Sequence, residues 1–532
     1  MKSTVIKLFR WIVALLAVSL VTVLAVRIYD SQRGPPLELW HTFVPHEMTA
    51  DQIRQADWAQ YLAAEQRIFD EVRANVTDKL DRQPVTLPTE TDEQTEYDQE
   101  IPAAYNQSVK NAANRYFVDS PVYPGHFAND WNRSYVLEPA GPPVGAVVLL
   151  HGLTDSPYSL RHIARRYMED GYVAVAIRLP GHGTVPSGLT NVEWEQWSEA
   201  TRLAVREARR RTGASVPLHL VGFSNGGALA MKYALDALSD KQLARPDRIV
   251  LISPMIGITS LARFAGIFGW PAIFPAFAKA AWLGIVPEFN PFKYNSFPVN
   301  GGRQSSLVAR SLQQQISQNA GEGKLRELAP ILTFQSVVDF TVSTRAIVNA
   351  LYVNLPANGS ELVLFDINRN AKFGPLLRNS VDNMLARLLP DPPRTFKTTI
   401  IANAGPGQPQ VVERVTPAGA TAEQTRMLGL TYPSDVFSLS HLALPFPMSD
   451  PLYGLQPESN EYGANLGAVA TRGERGTLIV SMDSLIRMSS NPFFAYMMAR
   501  IEEGIGIGAK NASPAAAPAV PSANAPATTT AR

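Results

Sequence analysis

Leu218-His219-Leu220-Val221-Gly222-Phe223-Ser224-Asn225-Gly226-Gly227 is the stretch whose reading decides the fold. Its first four residues read as a short strand running into Gly222. Beyond it, Leu229, Met231, Leu235 and Leu238 recur as an apolar helix face would. Ser224 therefore occupies a sharp turn between a strand and a helix, where side chains two positions before and two after would collide with backbone; both positions are glycine. Gly227 permits close helix–strand packing, and the helix N-terminus aims its free amides and dipole at the serine oxygen. The five-residue pattern alone is a weak signal, and the strand before it and helix after it give it weight.

Working outward, the chain repeats strand, turn and helix. Ala146–Leu150 is a β-rich run ending in His151-Gly152, Leu160–Met168 is helical, and Tyr172–Ile177 is a strand. Trp194–Arg211 is helical, and Ile249–Ile252 and Ile331–Val338 are later strands. This alternation predicts an α/β domain, a mostly parallel sheet covered by helices on both faces.

A serine hydroxyl is a poor nucleophile until a base takes its proton, so a histidine has to reach Ser224. With this kind of turn the chain order is serine, acid, histidine. Of eight histidines only His441 follows Ser224. The acid is Asp339, at the C-terminal end of Ile331–Val338, with Asp366 after Leu362–Phe365 as the alternative. A developing oxyanion needs preorganised donors, and the backbone amides of Asn225 and Leu153 are the candidates. His151 is expected to hold its loop rather than transfer protons.

Together, His151-Gly152-Leu153, Leu179-Pro180-Gly181-His182-Gly183, the Ser224 turn, Asp339-Phe340-Thr341-Val342 and Ser440-His441 resemble the monoglyceride lipase/lysophospholipase branch of the α/β hydrolases, the serine aminopeptidase-like group. The resemblance spans about 144–454 and implies an α/β-hydrolase fold with an inserted cap, a carboxylic ester hydrolase activity, and a structural role for the turn that carries His182. Two departures stand out. The segment from acid to histidine is long, and the cap is long and aromatic, with Phe264, Phe268, Trp270, Phe274, Phe277 and Trp282 in its first part and Phe289, Phe292, Tyr294 and Phe297 following. These rings suit either a lid for acyl chains or plain packing of the cap on the sheet.

The domain plan that follows is an N-terminal segment at 1–30, a helical extension and acidic linker at 31–130, a hydrolase domain at 131–505 with a cap at about 256–329 and a second insertion at about 369–432, and an Ala/Pro-rich disordered tail at 506–532. The extension reads as helix over Thr49–Leu80, a brace packed on the main domain. At the N-terminus, Lys2, Lys7 and Arg10 precede an uncharged run from Trp11 to Val26, closed by Arg27. It is read as a membrane anchor, with a cleaved signal peptide as the alternative; the basic start would place the domain across the membrane, in the periplasm of a bacterium, or secrete it after cleavage.

Composition removes other classes. With 48 basic and 47 acidic residues the chain has no pull toward nucleic acid, and with no cysteine it has no disulfide, thiol nucleophile or cysteine-bound metal. No metal-ligand cluster or cofactor loop is present in the sequence, so no cofactor is expected. The function expected is cleavage of a lipid-like carboxylic ester through an acyl-enzyme on Ser224. An acyltransferase or peptidase using the same residues is the first alternative, and a non-catalytic envelope scaffold the second.

Overall fold

The computed structural model describes residues 2–82, 113–257, 272, 275–370, 385–468, 487 and 489–505. Twelve strands occur among them: β1 (Tyr135–Leu137), β2 (Gly145–Leu150), β3 (Tyr172–Ile177), β4 (Leu218–Phe223), β5 (Arg248–Ile252), β6 (Trp282–Gly284), β7 (Phe297–Pro298), β8 (Ile331–Ser336), β9 (Glu361–Phe365), β10 (Lys397–Asn403), β11 (Gln410–Thr416) and β12 (Gln424–Thr431). Ten of them form one sheet in the order β1-β3-β2-β4-β5-β8-β9-β10-β11-β12, and β6 pairs with β7 as a short hairpin. From β3 to β10 every neighbour is parallel; β1 at one edge and β11 and β12 at the other run antiparallel.

Strands buried on both faces explain the unbroken apolar runs that marked them in the sequence. Ala146, Val148 and Leu150 of β2 face one core, with Leu220, Leu229 and Leu312, while Val147 and Leu149 face the other, with Ile163, Tyr167 and Met497. Each such valine, leucine or isoleucine contributes about 1.5–3 kcal/mol relative to leaving it in water. The first core is covered by α5 (Trp194–Thr212), α6 (Asn225–Ser239) and α7 (Val299–Gly321), and the second by α4 (Arg161–Glu169) and α8 (Phe494–Glu503). The strands therefore end together on the side where the Ser224 turn emerges.

Residues 397–431, within the segment read as a second insertion, extend the central sheet. β10 lies parallel to β9, with Thr398 opposite Leu362, and β11 and β12 continue from it by hairpins. The long path from Asp339 to His441 thus lays down β9 and then β10, β11 and β12, after which the chain returns to the top of the sheet.

At the N-terminus, α1 covers Lys2–Arg33, and the helix predicted over Thr49–Leu80 is divided. Thr49 caps α2 (Ala50–Gln55), and Asp57 accepts from the Gln60 amide and starts α3 (Trp58–Val72) afresh. Ile53, Trp58 and Tyr61 enter the first core, so this extension is a brace on the sheet domain. The expected membrane anchor is not supported. Among the described residues no helix is long and apolar enough to cross a membrane. The uncharged run of α1, Trp11 to Val26, spans only about 24 Å between Arg10 and Arg27, against about 30 Å of hydrocarbon. The linker at Thr86–Glu100 and the tail from Ser513 lie outside the described residues.

Candidate active site

The Ser224 turn is built by close backbone approach. Ser224 itself holds a left-handed conformation, φ 54°, ψ −116°, rare for a residue with a side chain. A Cβ on Gly222 would lie 2.5 Å from the Gly226 carbonyl oxygen, and one on Gly226 would lie 2.0 Å from that of Leu150. These contacts explain both glycines. The turn is fixed on either side: the Ser224 amide donates to the Ile252 carbonyl at 3.0 Å, and its carbonyl accepts from Met255 at 2.9 Å.

His441 and Asp339, 102 residues apart, meet beside it. His441 Nδ1 lies 2.9 Å from Asp339 Oδ2, with both side chains almost fully enclosed. The Asp339 carboxylate also accepts from the Thr341 and Val342 amides at 2.8 and 3.0 Å and from Gln335 Nε2 at 3.1 Å. Burial would raise its pKa, but His441 and these donors outweigh burial and hold it below the usual carboxylate value. An ionised Asp339 only accepts, so Nδ1 carries the proton in this contact and Nε2 is turned away from the carboxylate. The alternative acid, Asp366, is directed elsewhere: it accepts from the Ile367 amide at 2.9 Å and pairs with Arg369 at 3.5 Å.

Ser224 and His441 line one cavity of about 330 Å³. Gly152 and Leu153 line it from the opposite loop, and a Cβ on Gly152 would lie 3.2 Å from that of Ser224. Asn225 is the first residue of α6, so its amide stands outside the helical ladder. Neither it nor the Leu153 amide donates to a backbone carbonyl in the loops and turns among the described residues. The two amides expected to face an oxyanion are thus beside Ser224 and uncommitted. His151 bridges two loops, with Nδ1 2.9 Å from the Gly152 carbonyl and Nε2 accepting from the Leu179 amide at 3.0 Å. Burial pushes its pKa down to about 3, which keeps it neutral and out of proton transfer. His182 is buried against it and bonds the Pro180 carbonyl at 3.0 Å.

The aromatic cap divides between two roles. Phe292 stacks on Tyr158 with ring centroids 4.1 Å apart, and Trp282 packs on His41. Phe289, Tyr294 and Phe297 reach the cavity wall. Phe264, Phe268, Trp270 and Phe274 lie outside the described residues.

Three residues that matter to the site carried no sequence signal. Glu47 and Glu65 in the extension hold Arg178 at 2.7 and 3.3 Å, and Glu47 also accepts from the Gly181 amide at 2.9 Å, so the brace grips the Leu179–Gly183 turn. Lys293 lines the cavity from the cap and donates to Thr154 Oγ1 at 3.0 Å. Among the described residues no cluster of His, Asp or Glu could hold a metal ion.

A strained serine between strand and helix, a parallel sheet, and an acid and a histidine delivered after later strands together define the architecture. The domain has the α/β-hydrolase fold. Residues 141–366 match the family model described as serine aminopeptidase, S33. A segment of 92 residues is 32% identical to a thermostable monoacylglycerol lipase of Bacillus sp. (strain H-257), covering 17% of this chain and 35% of that lipase. The chain thus spans about a third of the length of the curated relative it matches. Among solved structures, one from work on LipS and LipT, two metagenome-derived lipolytic enzymes, shares 22% identity at a TM-score of 0.36, over 48% of this chain and 95% of that one. The Paleococcus ferrophilus monoacylglycerol lipase shares 17% at 0.33, over 48% and 98%. The matched family region stops at Asp366, just after β9 and before β10, which begins at Lys397.

Proposed function

We propose that this α/β hydrolase is a serine enzyme that cleaves carboxylic esters of lipid-like substrates. The observation that carries the reading is the buried His441–Asp339 pair opening onto the same cavity as the strained Ser224. In this reading His441 Nε2 takes the Ser224 hydroxyl proton as Oγ attacks the ester carbonyl. The amides of Leu153 and Asn225 receive the developing oxyanion. The acyl C–O bond then breaks, the leaving alkoxide takes the proton back from His441, and water repeats the cycle to release the acid. Asp339 orients the imidazole and stabilises its charged form.

An apolar wall of Leu153, Phe223, Met255, Val286, Phe289 and Phe297 supports an acyl chain as the group bound there. The similarity to a monoacylglycerol lipase points the same way. No carboxylate among the described residues lines the cavity to pair with a free amine, which favours an ester over an aminopeptidase substrate.

The test is labelling with a fluorophosphonate probe. Wild type is expected to label and Ser224→Ala is not; equal labelling of both would end the serine-hydrolase reading. A series of p-nitrophenyl esters then reads chain length, and a sharp preference for acetate would end the lipid-like part alone.

A further inference from the structure

The cavity beside Ser224 is lined by the basic side chains of Lys293 and Arg487 and by no acidic one among the described residues. Lys293 Nζ donates to Thr154 Oγ1 at 3.0 Å and to the Leu153 carbonyl at 3.4 Å, which leaves one of its three protons for the cavity. Arg487 Nη2 donates to Thr341 Oγ1 at 2.6 Å, and its carbonyl accepts from Ser440 Oγ at 3.0 Å. The guanidinium is thus tied to the loop that carries Asp339, and the Arg487 backbone to the loop that carries His441. Neither cation is paired with the carboxylate of a described residue.

An unpaired ammonium in a largely apolar cavity is costly. Burial lowers the Lys293 pKa, Asp155 acts against this, and Arg487 adds to it. Asp155 does not line the cavity and is occupied with Ser159 Oγ at 2.6 Å. An anion entering the cavity would meet two cations at once and relieve their mutual repulsion, whereas a neutral ester would leave that repulsion in place.

We infer that the cavity binds an ester bearing an anionic group, a phosphate or a carboxylate, with Lys293 and Arg487 as its counter-ions. The inference rests on the serine-hydrolase reading for the ester and adds the charge of the group beside it. The apolar wall takes the chain and the two cations take the anion.

Calorimetric titration of Ser224→Ala protein tests this without turnover, using decyl phosphate, decyl hydrogen succinate and neutral monodecanoylglycerol. At least one anionic ligand is expected to bind about tenfold or more tighter than the neutral one, a preference worth about 1.4 kcal/mol. Phosphate over succinate, or the reverse, identifies the group. Adding Lys293→Met should abolish the preference, and Lys293→Arg should retain it. Equal binding of all three ligands overturns the inference, as does a preference that survives Lys293→Met. Uniform weakening of all three by Lys293→Met would mean that Lys293 only holds the Leu153 loop, which also overturns it. If Lys293→Met fails to fold, Arg487→Met reads the same preference. Fluorophosphonate labelling of wild type judges the hydrolase reading separately.

Discussion

Arg178 binds the Glu47 carboxylate through both terminal nitrogens, at 2.7 and 3.0 Å, and so joins the end of β3 to a segment 131 residues earlier in the chain. Both side chains are enclosed, and Tyr61 adds a hydrogen bond to the Arg178 carbonyl at 2.6 Å. Removing Glu47 takes away the bidentate partner and leaves the buried guanidinium paired with Glu65, at 3.3 Å. Glu47→Ala is therefore expected to cost about 1.5–3 kcal/mol in urea unfolding. A loss below about 1 kcal/mol would show that the extension does not brace the domain.

The geometry separates two aspartates that the sequence could only rank. Asp339→Asn should lower kcat by about 10⁴-fold on a p-nitrophenyl ester, because the amide cannot hold His441 in the required tautomer. Asp366→Asn, at a residue engaged with Arg369, should leave kcat close to wild type. The opposite pattern would reassign the acid.

The elbow glycines should be intolerant for a steric reason. Gly226→Ala puts a methyl 2.0 Å from the Leu150 carbonyl and should cost more than about 4 kcal/mol or prevent folding. Gly141→Ala meets nothing within 4 Å and should stay within about 0.5 kcal/mol of wild type. Equal effects in urea unfolding would refute the packing argument.

Buried histidines set an acid limit on stability. Burial depresses the pKa of His41, His151 and His219 to about 3, from 6.5. Below 6.5 the unfolded chain takes up protons that the folded chain refuses, so their contribution is complete above pH 6.5 and is lost as pH falls toward 3. The thermal midpoint should be level above about pH 7 and fall steadily from pH 6.5 to 4. A midpoint unchanged from pH 7 to 5 would contradict the neutral, buried state of these rings.

Why some of this could be read in advance is a matter of range. The Ser224 turn is specified within ten residues, because its glycines answer contacts made by neighbouring backbone. His441 was reachable because chain order left no other candidate. Asp339 followed from the end of β8, but the same rule also admits Asp366 after β9, and only the contact with His441 separates them. The pairing of Arg178 with Glu47 and Glu65 depends on elements that meet only in three dimensions. Lys293 sits among cap aromatics with no periodicity to mark it. The strands at 397–431 had the right residues, but nothing local shows that β10 docks on β9 rather than in a separate lobe.

The late arrival of His441 bears on how the protein comes to life. Synthesis proceeds from the N-terminus, and domains fold as they emerge. A chain made as far as Asp366 already holds Ser224, the Leu153 loop and Asp339, but its base lies beyond three strands still to be added to the sheet. On the proposed mechanism the half-made protein lacks its general base, and Ser224 gains one only when the far edge of the sheet has been laid down.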